Sequence, residues 1–343
     1  MSQAEVSPFD STCDSYRYLR EGVLLWDGSV PQTRAPYNVN FATQDGVYPV
    51  VSWVDPPLFG DPDAVDKVCA VILSLPNRQM YVVSARRDDA IDPVEVMSAE
   101  LCPIPSVVVD VYDLLQTITA PDLRRFVSDV FTLTPVFHGF WTATAGTKHH
   151  AWPGGLAWHS LEVARDVADV MSSPAPKQVS FGAAEYELGV IAALLHDVGK
   201  TVSYTEEGYC TERALTVGHE LLGVELIRKP LDTLRAVRPD LADAMTALLL
   251  SRTRFACSPH RLEAIREVVS KADRERVRSG TRSRAEALPM ERGDLGRRLV
   301  AGAETPIRKM AYEEGASSAG HRSVGIRACQ GNFHRHPTNR ISA

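Results

Sequence analysis

The residues best suited to chemistry follow an apolar segment within "LGVIAALLHDVGKT", residues 188–201. His196 and Asp197 come directly after an unbroken apolar run, and Lys200 stands three residues further on. Burying an ionised carboxylate costs on the order of several kcal/mol unless it is paired or bound to a metal. The pattern therefore predicts a partner for Asp197. A divalent cation held by His196 and Asp197 would satisfy it, with Lys200 facing a substrate phosphate.

Three other segments place a polar donor beside an apolar helix face. His159 lies on the apolar face of a helix predicted after the break at residues 153–155. His219 opens a further helix next to its apolar side, and Asp273 continues an apolar stripe four residues after Val269. A single histidine in such a place is more often a core residue than a ligand. Arg274 or Arg276 could equally serve as the partner of Asp273.

Together these residues form an ordered series of nitrogen and oxygen donors, each on a different predicted helix. The series is His159, His196 with Asp197, His219 and Asp273. Imidazole with carboxylate suits manganese, iron, magnesium or zinc. Such a cation lowers the pKa of bound water and polarises a phosphoryl oxygen, while a lysine stabilises charge on non-bridging oxygens. The alternative is a domain that kept these residues for packing and lost turnover.

The N-terminal quarter of the chain has the pattern of β-structure. Alternating apolar residues, an Asp45-Gly46 turn and later apolar runs predict about five short strands, the number in a small OB-like β-barrel. Such barrels bind single strands through aromatic faces and flanking cations. The candidates here are Tyr37, Phe41, Trp53 and Tyr81 with Arg34, Arg78, Arg86 and Arg87. Seven basic against thirteen acidic residues up to Asp92 argue against nucleic-acid binding by this region.

The predicted fold class is mainly α: a helical bundle preceded by the small barrel, with a flexible C-terminal tail. The predicted boundaries are 1–16 for an N-terminal extension, 17–92 for the barrel, 93–107 for a linker, 108–279 for the helical domain and 280–343 for the tail.

Composition and charge bound the class of protein. The chain has 343 residues and a net charge of −6. From Lys271 onward there are fifteen Lys and Arg against eight Asp and Glu, so a basic tail follows an acidic body. That tail fits either a nucleic-acid contact or a solvated extension. The six cysteines show no C-x-x-C spacing, and neither a membrane-spanning run nor a signal peptide is evident. We therefore expect a cytoplasmic protein without a membrane partner.

The order His159, His196-Asp197 and Asp273 resembles the H…HD…D pattern of the HD-domain phosphohydrolases. More specifically, "HHAWPGGLAWHSLEVARDVAD", "ALLHDVGK", "VGHELLGVELI" and the preceding OB-like segment resemble the bacterial OB-fold plus HD-domain exoribonucleases of the YhaM type. The resemblance covers roughly residues 18–278. It implies a 3′ to 5′ exonuclease acting on single-stranded RNA or DNA with a divalent metal, commonly manganese; magnesium, iron, zinc or nickel remain open.

The resemblance also implies roles for particular residues. Lys200 would meet the scissile phosphate, and His219 would belong to a second metal or to the substrate side. Asp197 would bridge if two metals bind. The implied metal ligands are His159, His196, Asp197 and Asp273. The pair His149 and His150 matches the family motif and implies substrate binding or loop positioning, with a surface pair as the alternative.

The sequence departs from the family pattern at one place. The family usually carries a His-His pair after the His219 region, whereas this chain has Ser251-Arg252-Thr253-Arg254. A single-metal site is therefore the expectation, and Arg252 and Arg254 would clamp a phosphate instead.

Two rival functions stay open at this stage. One is an HD nucleotide or cyclic-nucleotide phosphohydrolase, because a shared fold does not choose a substrate. The other is an accessory DNA-transfer protein, because the same motifs also resemble the TraI_2-type HD domain of conjugative relaxases. The oligomeric state is open, with a homo-oligomer among the options.

Overall fold

The computed structural model describes nine stretches of the chain: residues 16–26, 35–54, 63–75, 79–97, 102–146, 150–173, 180–205, 209–250 and 260–279. Five strands come first: β1 (Tyr16–Trp26), β2 (Tyr37–Thr43), β3 (Gly46–Ser52), β4 (Asp66–Ser74) and β5 (Met80–Arg87). The helical part follows, so the predicted mainly α class with a preceding small barrel is confirmed. The predicted boundaries of the domains remain predictions.

The strands close into a barrel in the order β1-β2-β3-β5-β4, with β1 paired to both β2 and β4. Neighbouring strands are antiparallel except for β3 and β5, which run parallel. The predicted hairpin joins β2 and β3. Thr43 pairs with Gly46, so the two-residue turn is formed by Gln44 and Asp45, one position earlier than the predicted Asp45-Gly46.

The barrel has its own apolar interior, to which Leu24, Tyr37 and Phe41 contribute buried side chains. Of the predicted aromatic ligand-binding candidates, Tyr37 and Phe41 are therefore core residues, whereas Trp53 is 56% exposed. Arg34 and Arg78 lie outside the described residues. Successive side chains of a strand point to opposite faces. Accordingly, the residues on either side of Leu24 in β1 pack outward, into the core of the helical part.

The helical part contains ten α-helices among the described residues. They are α1 (Pro105–Gln116), α2 (Pro121–Thr132), α3 (Thr134–Thr142), α4 (Gly155–Ser172), α5 (Ala183–Leu195), α6 (Glu212–Val217), α7 (His219–Leu226), α8 (Arg228–Val237), α9 (Pro239–Leu249) and α10 (His260–Ser279). A short 3-10 helix, Val198–Val202, follows α5. No helix in the described part of the chain is long and apolar enough to cross a membrane.

The stretch predicted as a linker contributes to the helical core. Val94, Val96, Met97 and Cys102 are all buried there. α5 lies at the centre of this core, and every side chain from Glu187 to Leu195 along it is buried. His196 and Asp197, two of the predicted metal ligands, follow directly after its C-terminal end.

Candidate metal centre

α4 begins at a tight turn that only glycine fits. Gly154 has a φ of 82°, in the left-handed region that favours glycine. A Cβ on Gly155 would lie 2.1 Å from the carbonyl oxygen of His150, so the chain before the helix packs directly on its first turn. One turn further along, His159 is 2% exposed and lies among the buried side chains of α4. His159 therefore lies in the core, as its place on the apolar face of the predicted helix indicates.

α5 ends where the predicted functional residues begin. His196 follows its last residue, and its Nδ1 donates a hydrogen bond to the carbonyl oxygen of Ala193 at 2.7 Å. A carbonyl oxygen can only accept, so Nδ1 carries the hydrogen and Nε2 points away from the helix. Asp197 then turns the chain into the 3-10 helix, and its side chain is buried.

A close backbone approach brings α7 to this end of α5. A Cβ on Gly199 would lie 1.9 Å from the carbonyl oxygen of His219 and 2.5 Å from the backbone nitrogen of Gly223. Glycine at position 199 therefore permits the contact. As a result, Nε2 of His219 lies 3.2 Å from Oδ1 of Asp197.

Residues from four segments converge on one small volume. Nε2 of His159 lies 3.1 Å from Oδ1 of Asp273 on α10 and 3.7 Å from Oδ2 of Asp197. Nε2 of His196 lies 3.3 Å from Oδ2 of Asp197 and 3.7 Å from Oδ1 of Asp273. The structure thus brings together the four residues predicted as metal ligands. The side chains of Asp273 and His219 are 35% and 25% exposed, so this cluster is open to solvent on their side.

The carboxylates dominate the electrostatics of the cluster. Burial alone would lower the pKa of His196, but the charges of Asp197 and Asp273 outweigh it and raise that pKa to about 10. Burial would raise the pKa of Asp197, yet His196 and Lys200 hold it well below its ordinary value. Burial lowers the pKa of His159. The cluster therefore favours ionised carboxylates together with a positive charge between them.

The donor set fits a divalent cation. Ligand atoms of His159, His196 and Asp273 all lie within 4.8 Å of one another. Nε2 of His196 has no hydrogen-bond partner although it is buried. In the neutral ring this atom is a lone pair that faces two carboxylates, an arrangement that requires a proton or a cation in between. The Nδ1 bond to a backbone carbonyl is also the usual way in which a protein orients a metal-binding imidazole.

Lys200 shares the carboxylate of Asp197 with the imidazoles. Its Nζ lies 2.5 Å from Oδ2 of Asp197, the oxygen that also lies near His159 and His196. A cation held by Asp197 would compete with the ammonium group for this carboxylate. Lys200 is partly exposed, so its side chain has room to move from this oxygen toward a bound anion.

The predicted substrate-binding residues are placed less completely. His150 is 1% exposed, its ring centroid lies 5.2 Å from that of His159, and its Nε2 lies 3.4 Å from Oε2 of Glu162. A substrate role for His150 stays a prediction. The other three predicted residues, His149, Arg252 and Arg254, lie outside the described residues.

Sequence reasoning missed two acidic residues of α4 that belong to this neighbourhood. Glu162 and Asp166 both bond Arg276, the residue considered above as a partner for Asp273. The signal was present, because residues three and seven positions after His159 share its side of a helix.

Comparison with known proteins agrees with the geometry for the helical part. The HD domain family model matches residues 156–276, which contain His159, His196, Asp197, His219 and Asp273. HD domains are generally metal-dependent hydrolases, and they bind divalent metals. No curated protein and no solved structure matches the chain.

Proposed function

We propose that this HD-domain chain is a metal-dependent phosphodiesterase that removes nucleotides from the 3′ end of single-stranded RNA or DNA. The observation that carries the proposal is the convergence of His159, His196, Asp197 and Asp273, with the ligand atoms of three of them within 4.8 Å of one another. The preceding five-stranded barrel supports a polymeric substrate, because small barrels of this size bind single strands.

Each residue has a role that follows from its place. His159, His196, Asp197 and Asp273 would hold the cation, for which manganese is our first choice. A bound divalent cation lowers the pKa of water and polarises a phosphoryl oxygen. Lys200 would leave Oδ2 of Asp197 to stabilise negative charge on the non-bridging oxygens of the phosphate.

His219 lies on the partly exposed side of the cluster. Its Nε2 is 3.2 Å from Oδ1 of Asp197, so the carboxylate orients the ring. From that position the imidazole can hold a proton for the leaving oxygen or bond a phosphate oxygen directly.

The test is a cleavage assay on the full-length protein. A single-stranded oligonucleotide labelled at its 5′ end is incubated with the protein and Mn²⁺, and the products are separated by length. We expect a ladder that shortens from the 3′ end and disappears with EDTA. Metal content is measured in parallel on wild type and Asp197→Ala. An Asp197→Ala protein that has lost its metal yet cleaves at the wild-type rate would sink the assignment.

A second candidate is hydrolysis of a nucleotide or cyclic nucleotide. Two observations favour it: the acidic balance of the first 92 residues, and the burial of Tyr37 and Phe41 inside the barrel rather than on its surface. A panel of nucleotides and cyclic dinucleotides assayed for phosphate or mononucleotide release separates the two. Hydrolysis of a nucleotide in the panel, with the oligonucleotide left uncut in its own assay, would favour this candidate.

A third candidate is an accessory role in DNA transfer, in which the basic C-terminal segment contacts DNA. Its support is the excess of fifteen basic over eight acidic residues from Lys271 onward. Gel shifts compare the full-length protein with a chain truncated after Gly280. Equal DNA binding by both proteins would rule out a contact through this segment.

A further inference from the structure

Apolar packing of α10 stops just before the residue that it supplies to the metal centre. Ile265, Val269 and Ala272 are buried against the helical core. None of the residues from 273 to 278 is buried. Hydrophobic burial therefore fixes α10 only as far as Ala272, and polar contacts hold the part of the helix that carries Asp273.

Arg276 makes that interaction with α4. Its Nε lies 2.5 Å from Oδ2 of Asp166, and a terminal nitrogen of the guanidinium also bonds the other oxygen of that carboxylate. Its second terminal nitrogen bonds Oε1 of Glu162 at 2.8 Å. A planar guanidinium that bonds both oxygens of one carboxylate fixes distance and orientation together, which a single point charge does not.

The contact made by Arg276 is in register with the metal ligands. Glu162 is three residues after His159 on α4, and Arg276 is three residues after Asp273 on α10. Residues three apart lie on the same side of a helix. The His159–Asp273 contact and the Glu162–Arg276 bond are therefore neighbouring links between the same two helices, about one turn apart.

We propose that Arg276 is a positioning residue that holds the carboxylate of Asp273 at the metal centre by fixing the end of α10 against Asp166 and Glu162. The proposal rests on the metal site of the proposed function. Arg276 itself contacts neither metal nor substrate in this scheme, and it acts through Asp273.

Glu162 extends the link to the inner side of the site. While Oε1 bonds Arg276, Oε2 lies 3.4 Å from Nε2 of the buried His150. The ring of His150 in turn packs against the ring of His159, with centroids 5.2 Å apart. The same carboxylate thus contacts both Arg276, three residues after Asp273, and His150, whose ring packs on His159.

The direction of the change in metal affinity distinguishes a positioning role of Arg276 from a purely electrostatic one. Removing the positive charge of Arg276 would by Coulomb's law strengthen the binding of a nearby cation. Loss of the positioning contact instead weakens it, because Asp273 is no longer held in place. Loss of such outer contacts commonly weakens metal binding by about 10- to 100-fold.

The experiment measures Mn²⁺ binding to the full-length protein by titration calorimetry. Arg276→Met is the test variant, and Arg261→Met is its matched control. Arg261 is on the same helix and bonds the carboxylate of Glu185, but it lies twelve residues before Asp273. We expect about 10- to 100-fold weaker binding for Arg276→Met and wild-type affinity for Arg261→Met. Arg276→Lys keeps the charge without the planar fork and should fall between them.

Hydrogen exchange supplies a readout that needs no metal. Faster exchange of the backbone amides at 273–278 in Arg276→Met, with no change there in Arg261→Met, is expected if the contact holds this turn. Wild-type or tighter Mn²⁺ binding by Arg276→Met would overturn the proposal, as would equal weakening in the control. If the wild-type protein binds no Mn²⁺, the proposed function fails on its own, and unchanged exchange at 273–278 then refutes the positioning as well.

Discussion

The two ends of α5 each bury a carboxylate, and they satisfy it in different ways. Near the start of the helix, Glu187 is 3% exposed and accepts hydrogen bonds from the backbone nitrogen and the hydroxyl of Thr119 and from the backbone nitrogen of Ala120. Beyond its end, Asp197 is equally buried but is surrounded by imidazoles and by Lys200.

The difference suggests how a structural carboxylate can be told from one proposed to bind a metal. The donors around Glu187 are neutral, fixed groups at the start of α2, so they satisfy the carboxylate oxygens and join two helices. The imidazoles around Asp197 can exchange a proton for a metal, and one of their nitrogens, Nε2 of His196, is left without a hydrogen bond. Burial alone does not separate the two cases; the chemistry of the partners does.

The largest expected effect comes from Asp197→Asn. This change removes the central carboxylate of the cluster at nearly constant volume. We expect Mn²⁺ affinity to fall by more than about 100-fold, since even outer contacts of a metal site contribute about 10- to 100-fold. Titration calorimetry measures it, with Glu187→Gln as the control that should keep wild-type affinity. Tight Mn²⁺ binding by Asp197→Asn would show that the two carboxylates do not differ in the proposed way.

The next effect separates Lys200 from the proposed metal ligands. In Lys200→Met we expect turnover to fall by about 10²- to 10³-fold, the usual loss for removal of one group that stabilises transition-state charge. Mn²⁺ affinity should stay the same or increase, because the ammonium group no longer competes for Oδ2 of Asp197. Single-turnover cleavage and calorimetry on the same preparation measure both. A variant with reduced Mn²⁺ affinity would place Lys200 among the groups that support the metal.

Metal binding should also stabilise the fold selectively. A ligand at 100 times its dissociation constant adds about 2.7 kcal/mol to the free energy of unfolding. We expect this gain in wild type and in Glu187→Gln, and none in Asp197→Asn. Urea unfolding with Mn²⁺ or with EDTA measures it. An equal gain in Asp197→Asn would mean that the stabilising ion binds elsewhere.

At the other end of α5 the expected effect is on stability alone. Glu187→Gln keeps the shape of the side chain but replaces one accepting oxygen with a donor that faces the donors of Thr119 and Ala120. We expect the free energy of unfolding to fall by about 1 to 3 kcal/mol, with Mn²⁺ affinity unchanged. Urea unfolding in EDTA isolates the change from metal effects. Wild-type stability would show that the helix junction does not depend on this carboxylate.

The sequence predicts much of the candidate metal centre because its residues break a regular pattern. A histidine or aspartate on an apolar helix face, as at His159 and Asp273, stands out against the hydrophobic period. Glu187 also interrupts the apolar face of α5, yet its partner Thr119 lies 68 residues away and no local pattern identifies it. Contacts that depend on how helices cross are therefore invisible until the tertiary structure is known.

For the barrel, the sequence predicts the number of strands correctly but does not predict which face of each strand points into the core. Alternation predicts the strands but not which of their faces is interior, so the pattern offers Tyr37 and Phe41 as ligand-binding candidates although they form the core of the barrel. The acidic pair of Arg276 was missed for a similar reason. Glu162 and Asp166 are ordinary residues for the polar side of a helix until α10 is laid against it.

The smallest expected effect concerns Glu185, the other carboxylate of α5, which is partly exposed. The guanidinium of Arg261 bonds this carboxylate and lowers its pKa below the ordinary value of 4.5. A carboxyl group whose pKa is lower in the folded than in the unfolded protein adds stability at pH values above 4.5, and that stability is lost as the pH falls through the folded-state pKa.

Arg261→Met should therefore be slightly less stable than wild type at neutral pH, and the difference should shrink below about pH 4.5. Because the pair is close to solvent, added salt should reduce the difference too. Urea unfolding of both proteins from pH 7 to pH 3 measures it. A difference that persists at pH 3 would mean that packing of the arginine stem, not its charge, stabilises this end of the helix.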